Sequence, residues 1–192
     1  VLFYMAPWIF IFLISAITMR AISEEIKQGT YEILGTKPLT DLNIILGKFF
    51  SAVVLVFFAV VPTFIYFYSI YQLGLPKGNI DVGATWGSYI GLILLGASYA
   101  AIGLFASAVT PNQIVAFIFS MVLCFFFYVG FQQLSNLNLF GGNDSLVQSI
   151  GIQYHYDSIS RGVVDTRDLV YFGSLITFFL GLTYLSLNSR KW

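Results

Sequence analysis

His155 is the sequence's only histidine and Cys124 its only cysteine, so any imidazole or thiol chemistry must pass through them. In Tyr154-His155-Tyr156-Asp157 a histidine and a carboxylate stand two residues apart, the residue types that proton transfer needs. A hydrolase would also need a serine or cysteine nucleophile beside that base, and no Gly-x-Ser-x-Gly elbow supplies one. One histidine cannot build a His-Glu-x-x-His zinc site, and one cysteine forms neither a disulfide nor a multi-cysteine metal centre. A phosphate-binding loop is missing as well: Gly47-Lys48 lacks the upstream glycine and is followed by Phe49. No catalytic residue, metal ligand or bound cofactor is therefore assigned, and the chain is not expected to be its own ATPase.

Charged chemistry concentrates elsewhere. Charged residues make up 9% of the chain, against ~25% in a typical soluble domain. Four bases (Arg20, Lys27, Lys37, Lys48) and four acids (Glu24, Glu25, Glu32, Asp41) share the stretch from 20 to 48. Within it, Ile22 and Ile26 lie four apart, and Tyr31, Ile33 and Leu34 fall near one side of a second short stretch, leaving the charges to water. Gly29-Thr30 can end the first helix and cap the second, Pro38 stops the second, and Thr40 or Asp41 can cap the helix leading into the membrane. Two short amphipathic helices are predicted. One lying on lipid would normally carry a basic polar face; this balanced one fits a docking element for a soluble partner better. A net charge of zero offers no basic surface to nucleic acid.

The elements that must position this segment are set by the uncharged runs. Residues 1–19, 49–76, 82–143 and 169–189 contain no Asp, Glu, Lys or Arg. About 20 apolar residues of helix cross a ~30 Å hydrocarbon core, so the third run is long enough for two crossings. The sequence predicts an all-α polytopic helix bundle in one transmembrane domain over 1–192, with spans at 2–19, 49–71, 86–108, 113–134 and 169–187. Between them lie the segment 20–48 and an outer loop 135–168. Pro62 is expected to kink the second span, and Thr110-Pro111-Asn112 to break the chain between the third and fourth. Lys and Arg favour the side holding Arg20, Lys27, Lys37, Lys48, Arg190 and Lys191 over the side holding Lys77, Arg161 and Arg167, which assigns the former to the cytoplasm. Residue 1 then lies outside, so a sixth, upstream span is expected in the intact protein.

The predicted spans hold no charged residue, which weighs against an ion-coupled carrier. On the third span, Gly83, Gly87 and Gly91 are spaced by four, and Gly96, Ala97, Ala100, Ala101 and Gly103 continue a small-residue surface. Gly87, Gly91, Gly96 and Ala100 are the expected helix-packing positions, either inside one bundle or against a second subunit. The phenylalanines of the fourth span face lipid tails or line a path for a bulky apolar substrate, and the sequence does not name that substrate.

Glu24-Glu25-Ile26-Lys27-Gln28-Gly29-Thr30-Tyr31-Glu32-Ile33-Leu34, then Lys37-Pro38-Leu39-Thr40 and Gly47-Lys48, resembles the signature of ABC-2-type permeases. The outer segment 149–162 is similar to the gliding-motility-associated branch of that family. The resemblance implies an exporter-type permease subunit in the bacterial inner membrane, pairing with a second permease as homo- or heterodimer and with ABC ATPase subunits that bind ATP and Mg. It implies that 21–37 docks on the ATPase, through Glu24, Glu25, Lys27, Gly29, Thr30, Tyr31, Glu32 and Leu34. It also implies a short outer helical hairpin, which 144–166 suits. A scaffold that anchors motility or secretion partners without transporting anything is the alternative.

Overall fold

A computed structural model of the chain describes residues 2–30, 40–74, 81–137, 144–162 and 164–189. The described residues form helices and no strand, and five stretches are long and apolar enough to cross a membrane. In chain order these are α1 (Leu2–Thr18) with the short α2 (Ser23–Gln28) after it, and α3 (Asp41–Val60) continued by α4 (Thr63–Leu73). Next come α5 (Val82–Val109), then α6 (Gln113–Phe125), which runs through one π-helical turn, Phe126–Gly130, into α7 (Phe131–Asn136). A hairpin of α8 (Asp144–Ile150) and α9 (Ile152–Ser160) precedes the last span, α10 (Thr166–Asn188). The protein is an all-α polytopic membrane bundle.

Each span after the first begins on a polar side chain that takes a backbone N–H the helix itself leaves unpaired. Thr40 Oγ1 accepts from the Asn43 amide (3.3 Å), Asp81 Oδ1 from Ala84 (3.0 Å), Asn112 Oδ1 from Ile114 (3.0 Å) and Asp165 Oδ1 from Arg167 (3.0 Å). These caps set helix starts at Asp41, Val82 and Thr166, upstream of the residues 49, 86 and 169 where the apolar spans begin. Hydropathy marks only the part of a helix that sits in hydrocarbon; capping lets its first turn form in water. Pro62 interrupts the second span between Val60 and Thr63, where its missing amide breaks the ladder. Across the break, the Tyr89 hydroxyl donates to the Thr63 carbonyl at 3.0 Å.

The core sits on α5. In its most apolar window 78% of the residues are buried, against 22–33% in the other four spans, so the rest of the bundle wraps around it. Small residues make this possible, because a helix without bulky side chains lets neighbouring backbones close in. A β-carbon on Gly96 would stand 2.5 Å from Val56 Cγ1 of α3, and one on Gly103 would stand 2.0 Å from Thr18 Oγ1 of α1. Ala100 is fully buried. Nearer the other end, a β-carbon on Gly87 would meet the Ile159 carbonyl oxygen at 2.6 Å, and one on Gly91 would touch Tyr156 and Ile159 at 3.4 Å. The four small positions named from the sequence thus lie inside the chain's own packing, two of them against the α8–α9 hairpin. The chain leaves the hairpin at Gly162, whose φ of +90° and contact with the Ala84 backbone leave no room for a side chain.

Candidate coupling site

The mixed-charge segment begins where α1 ends, at a turn with no capping side chain before α2. Ile22 stands at the N-cap of α2 and has no side chain that can accept a hydrogen bond. The amides at this helix start are instead satisfied from another span. Ser107 Oγ, on the last turns of α5, accepts from the Ile22 N–H at 3.0 Å and the Ser23 N–H at 2.9 Å, and donates to the Met19 carbonyl at 3.1 Å. One hydroxyl, fully buried, thereby ties three backbone groups of the α1–α2 turn to the central helix. Ser23 Oγ also donates to the Met19 carbonyl, closing the turn on itself.

A second tie comes from α3. Lys48 Nζ donates to the Ala21 carbonyl at 2.5 Å and to Glu25 Oε1 at 2.5 Å, both partners partly screened from solvent. Charge assistance makes such bonds short and orienting. Glu25 Oε2 is buried without a partner among the described residues. Glu24 accepts from Gln28 Nε2 at 3.2 Å along the exposed side of α2, while Lys27 and Gln28 face solvent. Gly29 ends the helix in the left-handed region at φ 68°, its amide donating to the Ile26 carbonyl, and Thr30 Oγ1 reaches the Glu25 carbonyl at 3.4 Å. The predicted first amphipathic helix is therefore present, and Gly29 ends it. The second, with Tyr31, Glu32 and Leu34, lies outside the described residues.

Reading the sequence did not find Ser107 or the role of Lys48. A serine 85 residues from its partner, inside an apolar run, carries no spacing signal. The available hint was negative: a helix opening on Ala21-Ile22 with no Ser, Thr, Asp or Asn at its N-cap has to borrow one.

At the opposite end the enzyme-like pair rearranges. His155 does not meet Asp157; its Nδ1 lies 2.7 Å from Oδ1 of Asp168 at the start of α10, and its Nε2 lies 2.9 Å from the Ser149 carbonyl. On a helix, residues two apart point to different sides, whereas the hairpin folds His155 onto α10. Both ring nitrogens are thus engaged in hydrogen bonds, one to a side chain of α10 and one to the backbone of α8. Tyr171 stacks on the imidazole at 3.9 Å and its hydroxyl donates to the Ile150 carbonyl at 2.5 Å. Tyr156 closes the other side by donating to the Phe3 carbonyl of α1 at 2.8 Å, and its burial pushes the phenol up from its ordinary range. Partial burial likewise raises the Asp157 carboxyl, against the pull of Arg161 and a hydrogen bond from Gln153. These groups clasp the hairpin to the bundle and present no nucleophile. Among the described residues no three His, Cys, Asp or Glu side chains gather to hold a metal ion.

The α1–α2 turn is the place where charged, solvent-facing residues join the bundle core. A family model described as ABC-2 family transporter protein matches residues 4–192. No curated protein matches the chain significantly.

Proposed function

We propose a role for a chain that, by this match over nearly its whole length, belongs to the ABC-2 transporter family. Membership makes it a multi-pass membrane transport component and implies an ABC ATPase as partner. Beyond that, we read it as the permease subunit of an exporter in the bacterial inner membrane, paired with a second permease subunit and linked to gliding motility. ATP and Mg are held by the ATPase. Its hydrolysis cycle moves segment 21–37, and the bundle passes between inward-open and outward-open arrangements. Such a switch requires a ligand that favours one state, and nucleotide acting through the docking segment supplies that difference.

The observation that carries this reading is the coupling turn: a mixed-charge helix outside the apolar core, with Lys27 and Gln28 facing solvent while Glu25 and the turn backbone are fixed to α3 and α5. The double variant Glu32→Arg, Leu34→Asp reverses a charge and puts a carboxylate at a position the sequence pattern predicts to be apolar. Loss of co-purifying ATPase and of stimulated ATP hydrolysis is expected, since a desolvated mismatched charge weakens an interface strongly. Unchanged co-purification and hydrolysis would overturn the assignment. A scaffold without transport predicts the same hydrolysis rate with and without the assembled permease.

A further inference from the structure

We infer that Ser107, assisted by Lys48, is the joint through which movement of the docking segment enters the membrane, and that α5 is the element it moves. The inference rests on the coupling reading above and adds to it the positioning residues and the route.

Helix α2 depends on other elements for its hold. At six residues it is too short to persist on its own hydrogen bonds. Its start has no local cap, and the Ser107 hydroxyl supplies the acceptor for the Ile22 and Ser23 amides from a fully buried position. In the same place it donates to Met19, so the hydroxyl has no remaining hydrogen with which to pair elsewhere. Displacing α2 while α5 stays still would strand the Ile22 and Ser23 amides in a site closed to water, an arrangement proteins avoid. Moving α2 and the end of α5 together costs none of these bonds.

The end of α5 is also where α1 is locked to it. Gly103 lies one turn before Ser107 and leaves no room for a β-carbon beside Thr18. Further along, α5 carries the contacts that define the opposite end: Gly87 and Gly91 against α9, and Ser88 Oγ bonded to the Ser160 carbonyl at 3.3 Å. One continuous helix of 28 residues thus has the α1–α2 turn fixed at one end and the hairpin seated on the other. Lys48 provides a parallel tie to α3 through Ala21 and Glu25, at a more exposed position. Intermediacy alone does not establish a route; energetic coupling between the ends does.

The test uses the full chain in lipid discs with the ATPase subunits that co-purify with it, and ATP with vanadate as the trapping probe. Spin labels at Gln28 report on α2 relative to Asn112, and labels at Tyr68 and Tyr154 report across the hairpin end. In the otherwise unaltered protein, trapping should shift both distances. With Ser107→Ala the ATPase is expected to remain bound and the Gln28 label to keep its shift. The Tyr68–Tyr154 shift should shrink at least about fivefold, the loss of coupling that removing one link produces. Ser107→Thr, which keeps the hydroxyl, should restore it. Lys48→Gln leaves the buried hydroxyl untouched and should reduce the shift about twofold, a second readout if Ser107→Ala lowers the yield of folded protein. An undiminished Tyr68–Tyr154 shift in Ser107→Ala, or in Lys48→Gln where only that variant folds, overturns the inference while leaving the coupling reading intact. A Gln28 label that does not respond to nucleotide in the unaltered protein overturns both.

Discussion

Helices α5 and α10 both carry glycines spaced by whole turns, yet the two faces are used in opposite ways. On α5 a β-carbon at Gly87, Gly96 or Gly103 would fall within 3 Å of a neighbour, because α9, α3 and α1 have closed onto the backbone there. On α10, a β-carbon at Gly173 or Gly181 would meet nothing within 4 Å. Those two glycines line an open, shallow groove with Thr177 and Ser174. The inner helix is held by backbone proximity. The outer one is held by larger side chains, Phe172 and Phe179, and by the polar clasp of Asp168 with His155. Small residues in a membrane helix therefore do not by themselves identify a packed surface; what fills the space above them does.

The most damaging way to probe this contrast is to fill the closed side. Gly103→Ala should cost about 3 kcal/mol, the upper range for overpacking, because Thr18 is pinned by its bond to the Ile14 carbonyl and cannot rotate away. Gly87→Ala should cost about 2 kcal/mol, since it meets the backbone of Ile159. Equilibrium unfolding in mixed micelles measures both, and a loss below 0.5 kcal/mol at Gly103, well under the ~1–3 kcal/mol of overpacking, would show the close approach to be slack.

Removing the clasp comes next. His155→Ala strands the Asp168 carboxylate, whose Oδ2 is already buried without a partner among the described residues. About 2 kcal/mol should be lost, with faster amide exchange confined to α8 and α9. If exchange instead quickens along the whole of α10, the clasp supports the span and not the hairpin. Filling the open side should do the reverse: Gly173→Ala or Gly181→Ala should stabilise the detergent-solubilised chain by up to about 1 kcal/mol, the gain in helix propensity where nothing obstructs. A loss of the same size would reveal a neighbour over that groove.

The smallest effect is expected at the start of α10. The Asp165 carboxyl is lowered chiefly by the Arg167 amide bonded to it, with Thr166 and the Arg167 charge adding to that. Its folded value lies below the unfolded one, so its contribution is complete above the ordinary Asp range near ~3.9 and fades as pH falls through the folded value. Asp165→Ala should speed amide exchange in the first turn of α10 at neutral pH and make no difference in strong acid.

The sequence disclosed the spans well because burial in lipid demands long uncharged runs, and the Thr110-Pro111-Asn112 break and the Pro62 interruption are written in residues with one dominant backbone habit. Which span lies at the centre was less plain. The small residues of α5 marked it as a packing helix, but Gly173 and Gly181 of α10 look similar in sequence and are open. The short mixed-charge helix α2 was legible from Glu24, Glu25 and Gly29, whose chemistry is local. What escaped were the long-range bonds: Ser107 with Ile22, Lys48 with Ala21, and His155 with Asp168 instead of Asp157. Each joins residues whose meeting depends on how the helices are arranged, and no local pattern encodes that.

The interrupted second span has a consequence for the bilayer itself. Counted from Asp41 to Leu73 it runs 33 residues, a path of ~50 Å if straight, against ~30 Å of hydrocarbon. The surplus falls on α4, which buries no residue of its own and turns Tyr66, Tyr68 and Tyr71 outward, the residues that favour the headgroup layer. Beyond the Val61-Pro62 break, its slope is set by Phe64, stacked on Tyr89 of α5 at 4.4 Å, and by those tyrosines at the headgroups. A thicker bilayer should draw the tyrosine end of α4 upright and a thinner one should lay it down, so lipid chain length acts directly on one arm of the bundle.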